Sequence, residues 1–91
     1  TASVIEGQPL PVDAVVTLEV TVYANGQAID ERSACGQAKV VDWSDFAAGA
    51  VCEYVTSRTG YHPQVRARGP GSCSTSVSVD GRSVVLPIRI Q

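Results

Sequence analysis

The stretch Asp42-Trp43-Ser44-Asp45-Phe46-Ala47-Ala48-Gly49-Ala50-Val51-Cys52-Glu53-Tyr54-Val55-Thr56-Ser57-Arg58-Thr59 decides how the rest of this chain is read. Trp43, Phe46, Ala47, Ala50, Val51 and Tyr54 recur at intervals of three and four, the spacing of one face of an α-helix. Asp42 suits the N-cap, and Asp45 stands three residues on as a weaker substitute for the Glu of a capping box. Val41 and Phe46 can close over that cap as a hydrophobic staple. The two carboxylates lie at the positive end of the helix dipole, with Arg58 in the last turn at the negative end. Gly60 can leave the helix in the left-handed conformation, and Pro63 prevents its resumption. The spacing therefore predicts a helix over 42–59. Its aromatic side is expected to pack on a sheet as core rather than to line a cofactor site.

Upstream, Gly7, Pro9 and Pro11 make residues 1–13 a leading arm, with Ser3 to Glu6 extended. Val16, Leu18, Val20 and Val22 then alternate with Thr17, Glu19, Thr21 and Tyr23 as a strand. Asn25-Gly26 is a strong signal for a two-residue hairpin turn. Counting back from it sets Val22 opposite Ile29, Glu19 opposite Arg32 and Val16 opposite Cys35. The return strand, Gln27 to Cys35, carries Glu31 and Ser33 on its buried side, which suits an edge or a short strand.

Downstream, Val65 and Ala67 alternate with Arg66 and Arg68 over Gln64 to Arg68, a third strand. Gly69-Pro70-Gly71-Ser72 forms a loop. Cys73, Thr75, Val77 and Val79 then face inward, and Asp80-Gly81 turns the chain into a last strand with Val84, Leu86, Ile88 and Ile90 inward. The turn sets Val77 opposite Val84, Thr75 opposite Leu86 and Cys73 opposite Ile88, so register and pattern agree. Pro87 falls on the outward side and marks an edge. The expected fold is α+β: a single domain over residues 1–91, in the order β-β-α-β-β-β. One amphipathic helix packs on one face of an antiparallel sheet of four to five strands.

Composition narrows function mainly by exclusion. With 44% hydrophobic and 18% charged residues the chain should fold, and none of its apolar runs approaches the roughly 20 residues of a membrane span. It starts Thr1-Ala2-Ser3 and lacks methionine, which suits a processed, secreted protein and equally a segment excised from a longer chain. The net charge of −2 is small but unevenly spread. Acids predominate up to Asp45, and Arg58, Arg66, Arg68, Arg82 and Arg89 follow. Three cysteines without a Cys-x-x-Cys fit one bridge and one spare thiol, and no metal or cofactor is expected. If strand 64–68 runs back along the helix, Cys35 and Cys73 meet near the helix N-terminus, whereas Cys52 lies on the helix flank. A Cys35–Cys73 bridge is therefore expected, with Cys52 a free thiol able to form a covalent dimer.

His62 is the only histidine, in Tyr61-His62-Pro63. A helix followed by a strand bearing His62, Arg66 and Arg68 resembles small microbial ribonucleases in layout. That likeness implies RNA cleavage or RNA binding through those residues, with Arg58 able to join them. The carboxylate and second histidine such enzymes use have no counterpart on a matching strand here. The nucleic-acid reading is weakened by the acidic balance and by the lack of stacking aromatics beyond Tyr61. Ser74, Ser76, Ser78 and Ser83 pave the outer side of the last hairpin, an ordinary water-facing surface that also suits docking by another protein. The better-supported expectation is a small, secreted, disulfide-stapled module without a catalytic set. It would act by protein contact, as toxins, effectors and inhibitors do, with Arg58, His62, Arg66 and Arg68 as the binding candidates and the Gly69–Ser72 loop as a presented segment.

Overall fold

In a computed structural model describing all 91 residues, the regular secondary structure of the chain is almost wholly strand. They are β1 (Ala2–Val4), β2 (Val15–Val20), β3 (Tyr23–Ala24), β4 (Gln27–Ala28), β5 (Asp42–Trp43), β6 (Cys52–Tyr54), β7 (Gln64–Ala67), β8 (Gly71–Val79) and β9 (Arg82–Ile90). One four-residue helix, α1 (Ala34–Gln37), interrupts them. One sheet has the order β1-β2-β7-β6, a second the order β5-β8-β9, and β3-β4 is a separate hairpin. Inward residues of both large sheets, such as Leu18 and Val65 from the first and Trp43 and Ile88 from the second, share one buried core. The architecture is thus a pair of antiparallel sheets enclosing a common interior.

The expected α+β fold is overturned, because residues 42–59 are not a helix. Asp42 and Trp43 pair with Ser78 and Val77 on β8. Cys52, Glu53 and Tyr54 pair with Ala67, Arg66 and Val65 on β7. Between these strands the chain turns at Ala47–Ala50, where the Ala50 N–H donates to the Ala47 carbonyl at 3.0 Å and Gly49 takes φ +82°. Local propensity explains part of this outcome. Gly49 in a helix interior is costly, Val51, Val55 and Thr56 lose side-chain freedom there, and Ser44 and Asp45 favour turns. Tertiary pairing decides the rest. As a strand residue Trp43 is 2% exposed, its indole N–H donates to the Gly60 carbonyl at 2.8 Å, and Thr59 bridges back to Asp42. The apolar spacing that suggested a helix face reappears as Phe46 stacked on Tyr54, with ring centroids 4.8 Å apart.

The last hairpin follows the expected register, with Val77 opposite Val84, Thr75 opposite Leu86 and Cys73 opposite Ile88. Asp80 and Gly81 take φ of 54° and 78°, the positive pair that such a turn requires. The Asn25-Gly26 turn forms in the same way, and the Ile29 N–H donates to the Val22 carbonyl at 2.8 Å. Beyond that point the expected pairing stops. Glu19 lies opposite Ser3 and Val16 opposite Val65, so Arg32 and Cys35 have no place beside β2. Strands β1 and β7 offer Val4 and Val65 inward, where the return segment would have buried Glu31 and Ser33. The segment turns away at Asp30 instead, and the Ser33 hydroxyl caps α1 by accepting from the Gly36 N–H at 3.0 Å.

The disulfide joins Cys52 on β6 to Cys73 on β8, linking the two sheets with Cα atoms 6.2 Å apart. The expected Cys35–Cys73 bridge and the Cys52 thiol are therefore corrected, and so is a covalent dimer through Cys52. Cys35 is the free cysteine and is exposed, within α1. The error followed from the helix: once residues 52–54 become a strand, Cys52 turns inward toward the facing sheet, where it is buried. No helix is long and apolar enough to cross a membrane.

Candidate functional site

The four residues expected to bind a partner are not assembled at one place. Arg66 projects from the outer side of β7, in register with Val15 on β2 and Glu53 on β6. Arg68 follows on the same side, its Nε 2.8 Å from Glu53 Oε1. His62 precedes β7 and places Nε2 2.7 Å from Glu31 Oε1, at the opposite end of that strand. Arg58 belongs to the segment beside β5, where Nη1 donates to the Trp43 carbonyl at 3.3 Å. With the helix gone, the layout that resembled ribonucleases goes too.

The residues 42–59 create a different feature, an open cradle of about 690 Å³ between the Ala47–Ala50 turn and β6. A hydroxyl cluster supports its floor. The Tyr54 hydroxyl donates to the Ser44 carbonyl at 2.9 Å and lies 2.7 Å from Thr75 Oγ1, and Thr75, buried, donates to the same carbonyl at 2.8 Å. Burial raises the Tyr54 pKa above its ordinary value, opposed by the smaller effect of the Thr75 hydrogen bond. A raised folded-state value means that the neutral phenol is favoured by folding. This contribution is complete below the ordinary tyrosine pKa of about 10 and is lost as pH rises through the higher folded value. The stability of Tyr54→Phe, followed by urea denaturation between pH 9 and 11, is accordingly expected to fall less steeply with pH than that of the parent. An unchanged slope would show that Tyr54 does not titrate with the fold.

The most distinctive surface lies on β9, at its outer edge. Alternate residues of an antiparallel strand direct their backbone groups toward opposite neighbours. On β9 the groups of Pro87 and Arg89 point away from β8. The Pro87 carbonyl accepts from Gln8 Nε2 at 3.0 Å, and the Arg89 N–H donates to Gln8 Oε1 at 2.8 Å. The Arg89 carbonyl accepts from the Leu10 N–H, and the Leu10 carbonyl accepts from the Gln91 N–H, both at 2.9 Å. A glutamine side chain thus stands in for a peptide unit, and the arm covers the second half of the strand. By the same alternation Ser83 and Val85 direct their N–H and C=O groups outward; both residues are exposed, and no hydrogen bond is made to these groups, although β1 lies near the strand.

Beside this open half the two sheets part. Val84, expected inward, is 45% exposed because it lines a cleft of about 500 Å³ between the β8–β9 turn and the β3–β4 hairpin. Val20, Val22, Val77 and Val79 form its apolar walls, and Tyr23, Lys39, Asp80 and Arg82 its rim. Lys39 is ion-paired with Asp80, which raises the lysine pKa through the hydrogen bond first and the charge second. Arg82 makes no ion pair. On the other face of β9 Val85 is 67% exposed. Sequence reasoning marked this strand as an edge through Pro87. It missed the open half, because nothing local announces where the arm's cover ends. Comparison with protein-family models, with curated proteins and with solved structures finds no match to this chain.

Proposed function

We propose that this chain is a binding module of the extracytoplasmic space, and that it acts by accepting an extended protein segment as an added strand on β9. The observation that carries this reading is the unpaired edge at Ser83–Val85, which carries two exposed valines, Val84 and Val85. Natural sheets usually blunt a free edge with lysine, proline, a bulge or a covering segment. Here the arm and Pro87 blunt one half of β9, and the other half keeps its hydrogen-bonding groups and apolar side chains available. Strand addition uses these two elements: main-chain bonds for affinity and alternate side-chain pockets for selectivity. The sheet-to-sheet disulfide supports an oxidising compartment, where toxins, effectors and inhibitors work by contact.

Proline at position 85 tests the idea, because the Val85 N–H points away from β8 and its loss breaks no internal bond. Segments enriched from a random eight-residue peptide library are expected to shift the NMR amide signals of residues 82–86. Val85→Pro should weaken their binding at least about tenfold, the loss of a main-chain bond and an apolar contact together, while hydrogen exchange in β8 stays as in the parent. Enriched peptides that instead perturb Arg66 and Arg68, and are lost in an Arg66→Ser, Arg68→Ser variant, would move the binding face to the outer side of β7.

A further inference from the structure

We infer that the segment received by β9 is a free peptide C-terminus whose closing residues include an apolar side chain, an inference resting on the strand-addition reading above. Direction comes first. β9 runs from Arg82 to Ile90, and the Gln8–Leu10 arm occupies its far half. An added segment therefore lies along Arg82–Leu86 only, with one end against Gln8 and the other beside Arg82. An antiparallel segment brings its C-terminal end to Arg82, and a parallel one brings its N-terminal end there.

Charge then decides between them. Arg82 belongs to the inward-facing set with Val84, Leu86 and Ile88, yet at the mouth of the sandwich it borders the cleft rather than the core. The adjacent carboxylate, Asp80, is held by Lys39, so it does not neutralise Arg82. A guanidinium against apolar walls attracts a carboxylate and repels an ammonium group. The antiparallel orientation supplies the carboxylate.

Shape supplies the third requirement. Side chains directly opposite one another on neighbouring antiparallel strands share a face. The residue across from Val84 therefore shares the face of β9 that borders the cleft, whose volume of about 500 Å³ accepts a leucine- or phenylalanine-sized group. The outward groups of Ser83 and Val85 bond the main chain of that segment, and its carboxylate ends just beyond, at Arg82.

The probes are an acetylated pentapeptide acid of alternating threonine and valine that ends in valine, its C-terminal amide, and the acid extended by two glycines. Calorimetry on the full chain is expected to show the acid binding about tenfold more tightly than either other peptide, the weight of one charge-assisted hydrogen bond. Arg82→Gln, which breaks no side-chain hydrogen bond or ion pair, should remove this preference by bringing the affinity of the acid down to that of the amide. Val85→Pro should weaken all three. Equal binding of acid and amide would overturn the C-terminal assignment and leave strand addition standing. Self-association in sedimentation velocity that Val85→Pro abolishes, with no peptide bound, would replace the assignment by a second copy of this chain on the same edge. Binding that Val85→Pro does not affect would defeat strand addition itself, and with it the inference.

Discussion

Replacing Cys52 and Cys73 together by alanine is expected to lower the stability of the fold by about 3 kcal/mol, on the chain-entropy estimate for a loop of this size. The bridge spans 21 residues of sequence and ties β6 of one sheet to β8 of the other. Between these anchors the chain runs through the whole of β7, so the crosslink closes around a central strand rather than a dangling loop. Without it, the sheets are joined beside β6 by apolar contact and by the Ser44–Thr75–Tyr54 hydroxyl cluster. A small domain has little stability in reserve, so a loss of this size is a large part of the total. Urea denaturation of the double variant measures the loss, and alkylation of the unreduced parent should label Cys35 alone. Labelling of Cys52 or Cys73 without reductant would refute the pairing.

Trp43→Ala should be as damaging, at about 3–5 kcal/mol, the usual range for emptying a buried aromatic site. The indole is 2% exposed and lies between the sheets, and its N–H reaches the Gly60 carbonyl at 2.8 Å. Its removal opens a cavity under β5 and strips a partner from the segment that pairs beside that strand. Trp43→Phe separates the two effects. It fills most of the space and leaves the carbonyl unpaired, so its cost should be nearer 1–2 kcal/mol, the cost of one unmade hydrogen bond. Because Trp43 is the only tryptophan, the comparison is made by circular dichroism rather than by intrinsic fluorescence. Equal losses for the two variants would mean that the hydrogen bond, rather than the packed volume, holds β5 in place.

What could be read from the chain in advance depended on how far apart the pairing residues lie. The Cys73–Ile90 hairpin was legible because its twofold alternation and its Asp80-Gly81 turn are contained in one continuous stretch. The turn at Asn25-Gly26 was legible for the same reason, but not the strands beyond it, whose partners come from β1 and β7. Residues 42–59 were misread because Trp43, Phe46 and Tyr54 satisfy helical spacing by coincidence. Their burial is set by β8 and β7, segments that no local pattern connects to them. Two signals ran against the helix within the stretch itself: Gly49 at its centre and the β-branched run from Val55. The disulfide error descended from that one mistake. The candidate site was half legible, since Pro87 marked the edge, whereas the reach of the Gln8–Leu10 arm is a matter of three dimensions.

The cover on β9 also sets an order of events in biosynthesis. Gln8 and Leu10 are made early, yet their partners Pro87, Arg89 and Gln91 come at the far end of the sequence, so the growing chain holds an arm with nothing to grip. Pairings of such sequence separation close late and make for slow folding. In the part of that interval before residue 73 is made, Cys35 and Cys52 are both present and Cys73 is not. The first bridge open to the nascent chain is therefore a non-native one. If an oxidant closes a Cys35–Cys52 bridge at that stage, attack of the Cys73 thiolate on the Cys52 sulfur forms the native bridge and releases Cys35 as the thiol. On that route the spare cysteine, idle in the finished molecule, is the leaving group of the exchange.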